Sequence, residues 1–203
     1  MIKKEAFVIF AFTMAEIWIL PRHWIFPVLV ISFIVFSWRY HGDTLKTVGL
    51  ATGDFSQAKP IFIGLLISLL AIFGMALVLN PGFSERENFW EKVFIQAKGY
   101  VGWAFVQQLV LHGYFTNRLQ KVFVKIWPTA LAVGGMFAIA HLPNPVLSLF
   151  CLIFGTAGAY FFLKARNLYL LTLAHAILGT AIKYLLAKDL FNHGMRIGPG
   201  FWQ

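Results

Sequence analysis

Residues 61–79 read Ile-Phe-Ile-Gly-Leu-Leu-Ile-Ser-Leu-Leu-Ala-Ile-Phe-Gly-Met-Ala-Leu-Val-Leu, nineteen positions without a charge. A bilayer core about 30 Å thick is crossed by roughly 17–25 apolar helical residues. Hydrocarbon offers no water to a backbone N–H or C=O, so a segment of this kind bonds internally, as a helix. Outward from it, Trp127–Ala140, Val146–Leu163 and Leu168–Leu186 have the same character. Gly99–Leu119 is also apolar enough to cross, yet it carries Gln107, Gln108 and His112 in its middle. Two shorter runs, Ala6–Leu20 and Trp24–Trp38, are parted by Pro21-Arg22-His23 and suit a helical hairpin. The expected fold is an all-α, polytopic transmembrane helix bundle of seven spans, or six if that hairpin does not cross twice. It is expected to form one multi-pass membrane domain over residues 1–203.

Composition agrees. Of 203 residues, 59% are hydrophobic and 12% charged, against about 45–50% and about 25% in soluble domains. So few charges cannot coat a water-soluble globule. The single cysteine, Cys151, excludes a disulfide scaffold, and the hydrophobicity excludes a disordered chain. The net charge of +9 is scattered in short pieces between apolar runs, with no basic stripe carrying stacking aromatics. That excludes nucleic acid as a partner and suits anionic lipid headgroups. Met1-Ile2-Lys3-Lys4 before an apolar run has the outline of a signal peptide. No small-x-small cleavage site follows, and Glu16 interrupts the run, so a retained first helix is expected.

Charge also orients the bundle. With seven helices, ten basic residues from Lys3 to Arg166 fall on one side and seven from Arg22 to Arg196 on the other. Glu85, Glu87, Glu91 and Asp189 fall on the second side. The positive-inside rule then places the N-terminus in the cytoplasm. Between spans, Asp43–Lys59 is a polar connector with Gly42, Gly49 and Gly53 at hand. Asn80-Pro81-Gly82 reads as a turn, with Phe83–Lys92 as a short interfacial helix. There is no internal repeat.

Polar and ionisable groups are costly inside a bilayer, so each is a candidate site residue. Gln107, Gln108 and His112 share one expected helix, His141 ends the next, and His175 lies midway along the last. Glu16 is the one carboxylate inside an expected span. Gln108 and His112 lie four apart, on one helix face. The histidines are 29 and 34 residues apart, one per helix, which suits a site assembled from facing helices.

The runs Gln107-Gln108-Leu-Val-Leu-His112, Phe137-Ala-Ile-Ala-His141 and His175-Ala-Ile-Leu-Gly179 resemble the CPBP family. These are the Abi or CAAX-protease intramembrane endopeptidases, related to type II CAAX prenyl proteases. The family signature is Glu-Glu-x-x-x-Arg, then Phe-x-x-x-His, then His-x-x-x-Asn. Order and spacing match over residues 99–187, the expected core, whereas residues 1–98 agree only in hydrophobic layout. The resemblance implies a glutamate-type protease. Its first Glu and the Phe-x-x-x-His histidine activate water, while the last His and Asn stabilise the oxyanion. By position these roles fall on Gln107, His141, His175 and Gly179, with Gln108 and His112 at the second Glu and the Arg. The implied partner is a membrane-embedded or lipid-anchored peptide, and no cofactor is implied.

The chain departs from that signature at four places. A carboxamide has no proton-accepting group at neutral pH, so Gln107 is not a general base. Gly179 has no side chain to donate to an oxyanion, a contact worth about 3 kcal/mol in kcat. His112 lacks the permanent charge of Arg. Three readings follow. A divergent protease would centre its chemistry on His141 and His175, with His112 or Glu16 assisting. A catalytically inactive pseudo-protease would keep the groove and bind without cutting. A metal protein would use His112, His141 and His175 with an open position for water, although no HExxH-type motif is present.

Structural roles compete for the same residues. The two glutamines could join helices by amide hydrogen bonds worth roughly 0.6–2 kcal/mol. His141, ahead of Leu142-Pro143-Asn144-Pro145, could simply cap a helix end. Gly155 and Ala159 form a small-xxx-small face for close packing. Cys151 reads as a small buried hydrophobe, while His23, His41 and His193 read as solvated. In the seven-span topology His141 lies on the non-cytoplasmic side, so the polar site opens toward the outer leaflet. Such a site would process a tail after translocation rather than a cytoplasmic prenylated protein.

Overall fold

The computed structural model describes residues 2–19, 25–51, 58–186 and 194–202. Pro21-Arg22-His23, Gly53, Lys188, Asp189, His193 and the expected core boundary at 187 lie outside the described residues. The helices are α1 (Ile2–Trp18), α2 (Ile25–Tyr40), α3 (Ala58–Leu79), α4 (Phe89–Gln108), α5 (Asn117–Phe123), α6 (Ile126–Ala140), α7 (Pro145–Ala165) and α8 (Leu168–Ala181). A π-helical segment, Leu109–Thr116, joins α4 to α5, and a second, Ile182–Leu186, continues α8. Among the described residues there is no strand, so the all-α expectation holds.

Three stretches are long and apolar enough to cross a membrane: Ala58–Leu79, Pro145–Ala165 and Leu168–Leu186. Pro27–Tyr40 and Ile126–Ala140 are shorter apolar helices. The expected span Gly99–Leu119 lies inside a longer run that starts at Phe89 and continues to Phe123.

Contacts at the two ends fix an up-and-down path. At one end Glu5 of α1 meets Ser37 near the end of α2 and Arg118 of α5. There too Ile61 of α3 shares an apolar cluster with Phe162 of α7 and Leu168 of α8. At the other end Asn80, just past α3, donates to the Leu185 carbonyl at 3.1 Å. Leu142, just past α6, accepts from the Gly198 N–H at 2.9 Å. With α4 and α5 counted as one continuous run, successive helices therefore alternate in direction.

Local chemistry sets the helix boundaries. Asn144 caps α7 by accepting from the Leu147 N–H at 3.1 Å, and Pro145 follows at the first position, where its missing N–H costs nothing. Asn167 caps α8 through the Leu170 N–H in the same way. Phe83–Lys92 is not one interfacial helix. Phe83–Glu85 makes a single 3₁₀ turn, Asn88 takes a left-handed φ of 52°, and α4 starts at Phe89. The cause is Phe83, which is buried and packs against Phe73 and Phe89. The small-residue face works as expected: a Cβ on Gly155 would come 3.1 Å from the Gly134 Cα, so α6 and α7 pack closely.

A buried ionic cluster ties α1, α2 and α5 together. Arg118 is wholly buried, 3.2 Å from Glu5 and 2.5 Å from Asp43, and donates to Ser37 at 2.6 Å. Glu5 also accepts from Tyr114 at 3.0 Å and meets His41 Nε2 at 2.7 Å. Glu5 precedes the apolar run that begins at Ala6. Burial pushes its carboxyl up, but hydrogen bonds from Ser37, His41, Tyr114 and Arg118 outweigh this and hold it at about 2. His41 is thus not the solvated residue expected from its position. The first turn of α1 covers it, leaving its side chain 10% exposed.

Candidate functional site

α4 and α8 pack side by side, and their polar residues meet. The Gln108 side-chain amide donates to His175 Nδ1 at 2.5 Å. With Nδ1 accepting, a neutral imidazole carries its proton on Nε2. That nitrogen lies 3.2 Å from the Tyr100 hydroxyl, which donates to Gln107 Oε1 at 3.1 Å. Donors therefore run in one direction, from Gln108 to His175 to Tyr100 to Gln107. Gln108 Oε1 is buried with no hydrogen-bond partner.

Gly179 lies one turn beyond His175 on α8. A Cβ there would come 2.9 Å from Tyr100 Cε1. The missing side chain at 179 is thus the space that the Tyr100 ring fills. Sequence reasoning passed over Tyr100 because aromatic residues are expected in a membrane protein. Its signal was spacing: Tyr100 precedes Gln107 by seven residues, two turns along the same face of α4.

His141 follows the last residue of α6. Its Nδ1 lies 2.7 Å from the Phe137 carbonyl, so Nδ1 donates and caps the helix end as the structural reading expected. A neutral His141 then presents Nε2 as a lone pair. Its ring also stands edge-on to Phe137 at 4.6 Å, and Phe137 touches His175 in turn at 5.9 Å.

His112 is 1% exposed and sits in the π-helical segment. Its Nδ1 meets Thr116 Oγ1 at 3.1 Å, and its ring stacks on Phe162 at 5.7 Å. Gly158 on α7 makes this possible, since a Cβ there would come 2.6 Å from His112 Nε2. The backbone here bonds i→i+5, not i→i+4, a geometry that recurs at functional sites.

Two neighbouring cavities meet at these residues. Tyr100, Gln108, His112, His141, His175 and Gly179 line one of about 150 Å³, whose remaining lining is apolar apart from Ser68. Gln107, His141 and Glu16 line a second of about 170 Å³. Each is large enough to admit water. Among the described residues no three His, Cys, Asp or Glu side chains gather closely enough to hold an ion. His112 is taken up by Thr116 and Phe162, while His175 is engaged on both nitrogens. Cys151 is buried on the wall of the first cavity, as a small hydrophobe would be.

Residues 89–181 match the family described as type II CAAX prenyl endopeptidase Rce1-like. Over that stretch, a little under half of its length, the chain is similar to the CAAX-protease-like membrane proteins. The match opens on the first residue of α4 and closes on the last of α8, ten residues before the expected core boundary at Gly99. No curated protein and no solved structure matches the chain. The CAAX-protease-like segment holds every proposed polar site residue except Glu16, which α1 brings to it from outside.

Proposed function

We propose that the chain is a divergent membrane endopeptidase that hydrolyses a lipid-anchored or membrane-embedded peptide. The observation that carries this reading is the one-way hydrogen-bond chain Gln108–His175–Tyr100–Gln107 beside the open Nε2 of His141. The apolar wall of the first cavity suits an acyl or isoprenoid chain, and its polar rim suits a peptide bond. A water held at His141 Nε2 attacks the carbonyl carbon. Tyr100, supported by His175, turns its hydroxyl from Gln107 toward the developing oxyanion. In this role Tyr100 stands in for the side chain that Gly179 lacks.

One observation favours a second reading, a non-catalytic membrane scaffold. Gln107 and Gln108 are neutral amides engaged with Tyr100 and His175, and such a set could bind a peptide without cutting it. Purified protein in proteoliposomes, incubated with a lipidated-cysteine peptide and followed by mass spectrometry, separates the two. The endopeptidase yields a shortened peptide; the scaffold retains an intact one. The charge bias favours a site opening on the non-cytoplasmic side. A Leu142→Cys variant should then react with an impermeant thiol reagent added outside intact cells, and labelling only after permeabilisation would reverse the orientation.

A further inference from the structure

We propose that Glu16 is the proton acceptor for the attacking water, a carboxylate supplied by α1 where the α4 position carries Gln107. The proposal rests on the endopeptidase reading above. Glu16 lines the second cavity together with Gln107 and His141, and no other acidic residue lines that cavity. Among the described residues it has no hydrogen-bond or ion-pair partner. Glu5 on the same helix is in contrast tied by Ser37, His41, Tyr114 and Arg118. An unpaired carboxylate in an apolar helix is costly and is a site residue by default.

The fold explains how α1 delivers it. Glu5 and Glu16 are eleven residues apart, close to three whole turns at about 3.6 residues per turn, so they share a face of α1. Glu5 is fixed to Arg118 at one end of the helix. At the other, the Ile17 carbonyl packs so closely on Gly198 that a Cβ there would come within 2.8 Å. Rotation of α1 is thereby restrained, and the Glu16 face is turned toward α4 and α6.

The step balances with water alone. One water hydrogen rests on His141 Nε2 and the other passes to the Glu16 carboxylate as the oxygen bonds to the carbonyl carbon. Collapse of the tetrahedral intermediate breaks the C–N bond, and Glu16 returns its proton to the leaving nitrogen. The products are a carboxylic acid and an amine.

The test uses the full chain in proteoliposomes with a fluorescent peptide ending in a lipidated cysteine. Glu16→Gln, which keeps the side-chain shape, should lower kcat about 100-fold, while Glu91→Gln matches wild type. The transposed variant Glu16→Gln/Gln107→Glu should regain cleavage because a carboxylate is back in the same cavity. Should Glu16→Gln fail to fold, Glu16→Ala, which also removes the carboxylate, carries the same test. Wild-type cleavage with Glu16→Gln or Glu16→Ala within twofold of it overturns the proposal and leaves the endopeptidase reading standing. No cleavage by wild type or by Gln107→Glu overturns both.

Discussion

The ring of Tyr100 occupies the position that a side chain on Gly179 would need, with 2.9 Å between Tyr100 Cε1 and a Cβ built at 179. The two positions are complementary, one large and hydroxylated, the other empty. On this account the donor beside His175 has moved from α8 to α4, and the bundle has kept its volume.

Gly179→Ala should therefore push Tyr100 away from His175 and lower kcat about tenfold or more, in keeping with loss of an oxyanion donor. Tyr100→Ala/Gly179→Asn returns the donor to α8 and should outperform either single variant. Peptide cleavage in proteoliposomes reads both, and equal rates for Gly179→Ala and wild type would refute the complementarity.

Gly158 is held to a hydrogen by His112. A Cβ there would meet Nε2 at 2.6 Å, and the ring has no room to retreat because it stacks on Phe162. Gly158→Ala should cost about 1–3 kcal/mol, the range for overpacking a filled core. Unfolding in detergent measures this; Gly135→Ala, where a Cβ meets nothing within 4 Å, is the matched neutral control.

Arg118 lies wholly buried between Glu5, Asp43 and Ser37. Arg118→Met would take from Glu5 and Asp43 the buried guanidinium that they share. Removing one partner of a buried pair costs about 3–5 kcal/mol, so this variant should unfold far more easily in SDS titration than Lys121→Met. Lys121 reaches Asp43 from the surface at 3.4 Å, with its side chain 41% exposed.

Acid should reach the same cluster through Glu5. Its carboxyl is held at about 2 against an ordinary 4.5. A folded-state value below the unfolded one stabilises the fold above about pH 4.5, and that stability is lost as pH falls toward 2. Melting temperature should therefore drop over this window in wild type, and the drop should be shallower in Glu5→Gln. Identical acid profiles would remove Glu5 from the account.

The fold was legible because the solvent is hydrocarbon: uncharged runs such as Ile61–Leu79 admit no structure but a helix. His175 and Gln108 stood out for the converse reason, as polar groups with no cheap place in lipid. Tyr100 did not stand out, because a membrane-protein tyrosine needs no special explanation until its hydroxyl is seen between His175 and Gln107. Arg118, Glu5 and Asp43 were hidden differently. They lie near helix ends, where charge ordinarily meets water, and only the folded bundle shows Arg118 buried with Glu5 and Asp43 half-buried against it. The π-helical bonding over Leu109–Thr116 left no mark in the hydrophobic pattern either, since five of its eight residues are hydrophobic and the run reads as an ordinary helix.

The central claim is that His141 and the His175–Tyr100 pair act together on one peptide bond. Single-turnover cleavage of the lipidated peptide by His141→Ala and by His175→Ala, each reconstituted beside wild type, tests it most directly. Each is expected to be slower by about 10²–10⁴-fold, the usual contribution of a positioned acid–base group, with the peptide still bound. Cleavage within twofold of wild type by either variant would contradict it.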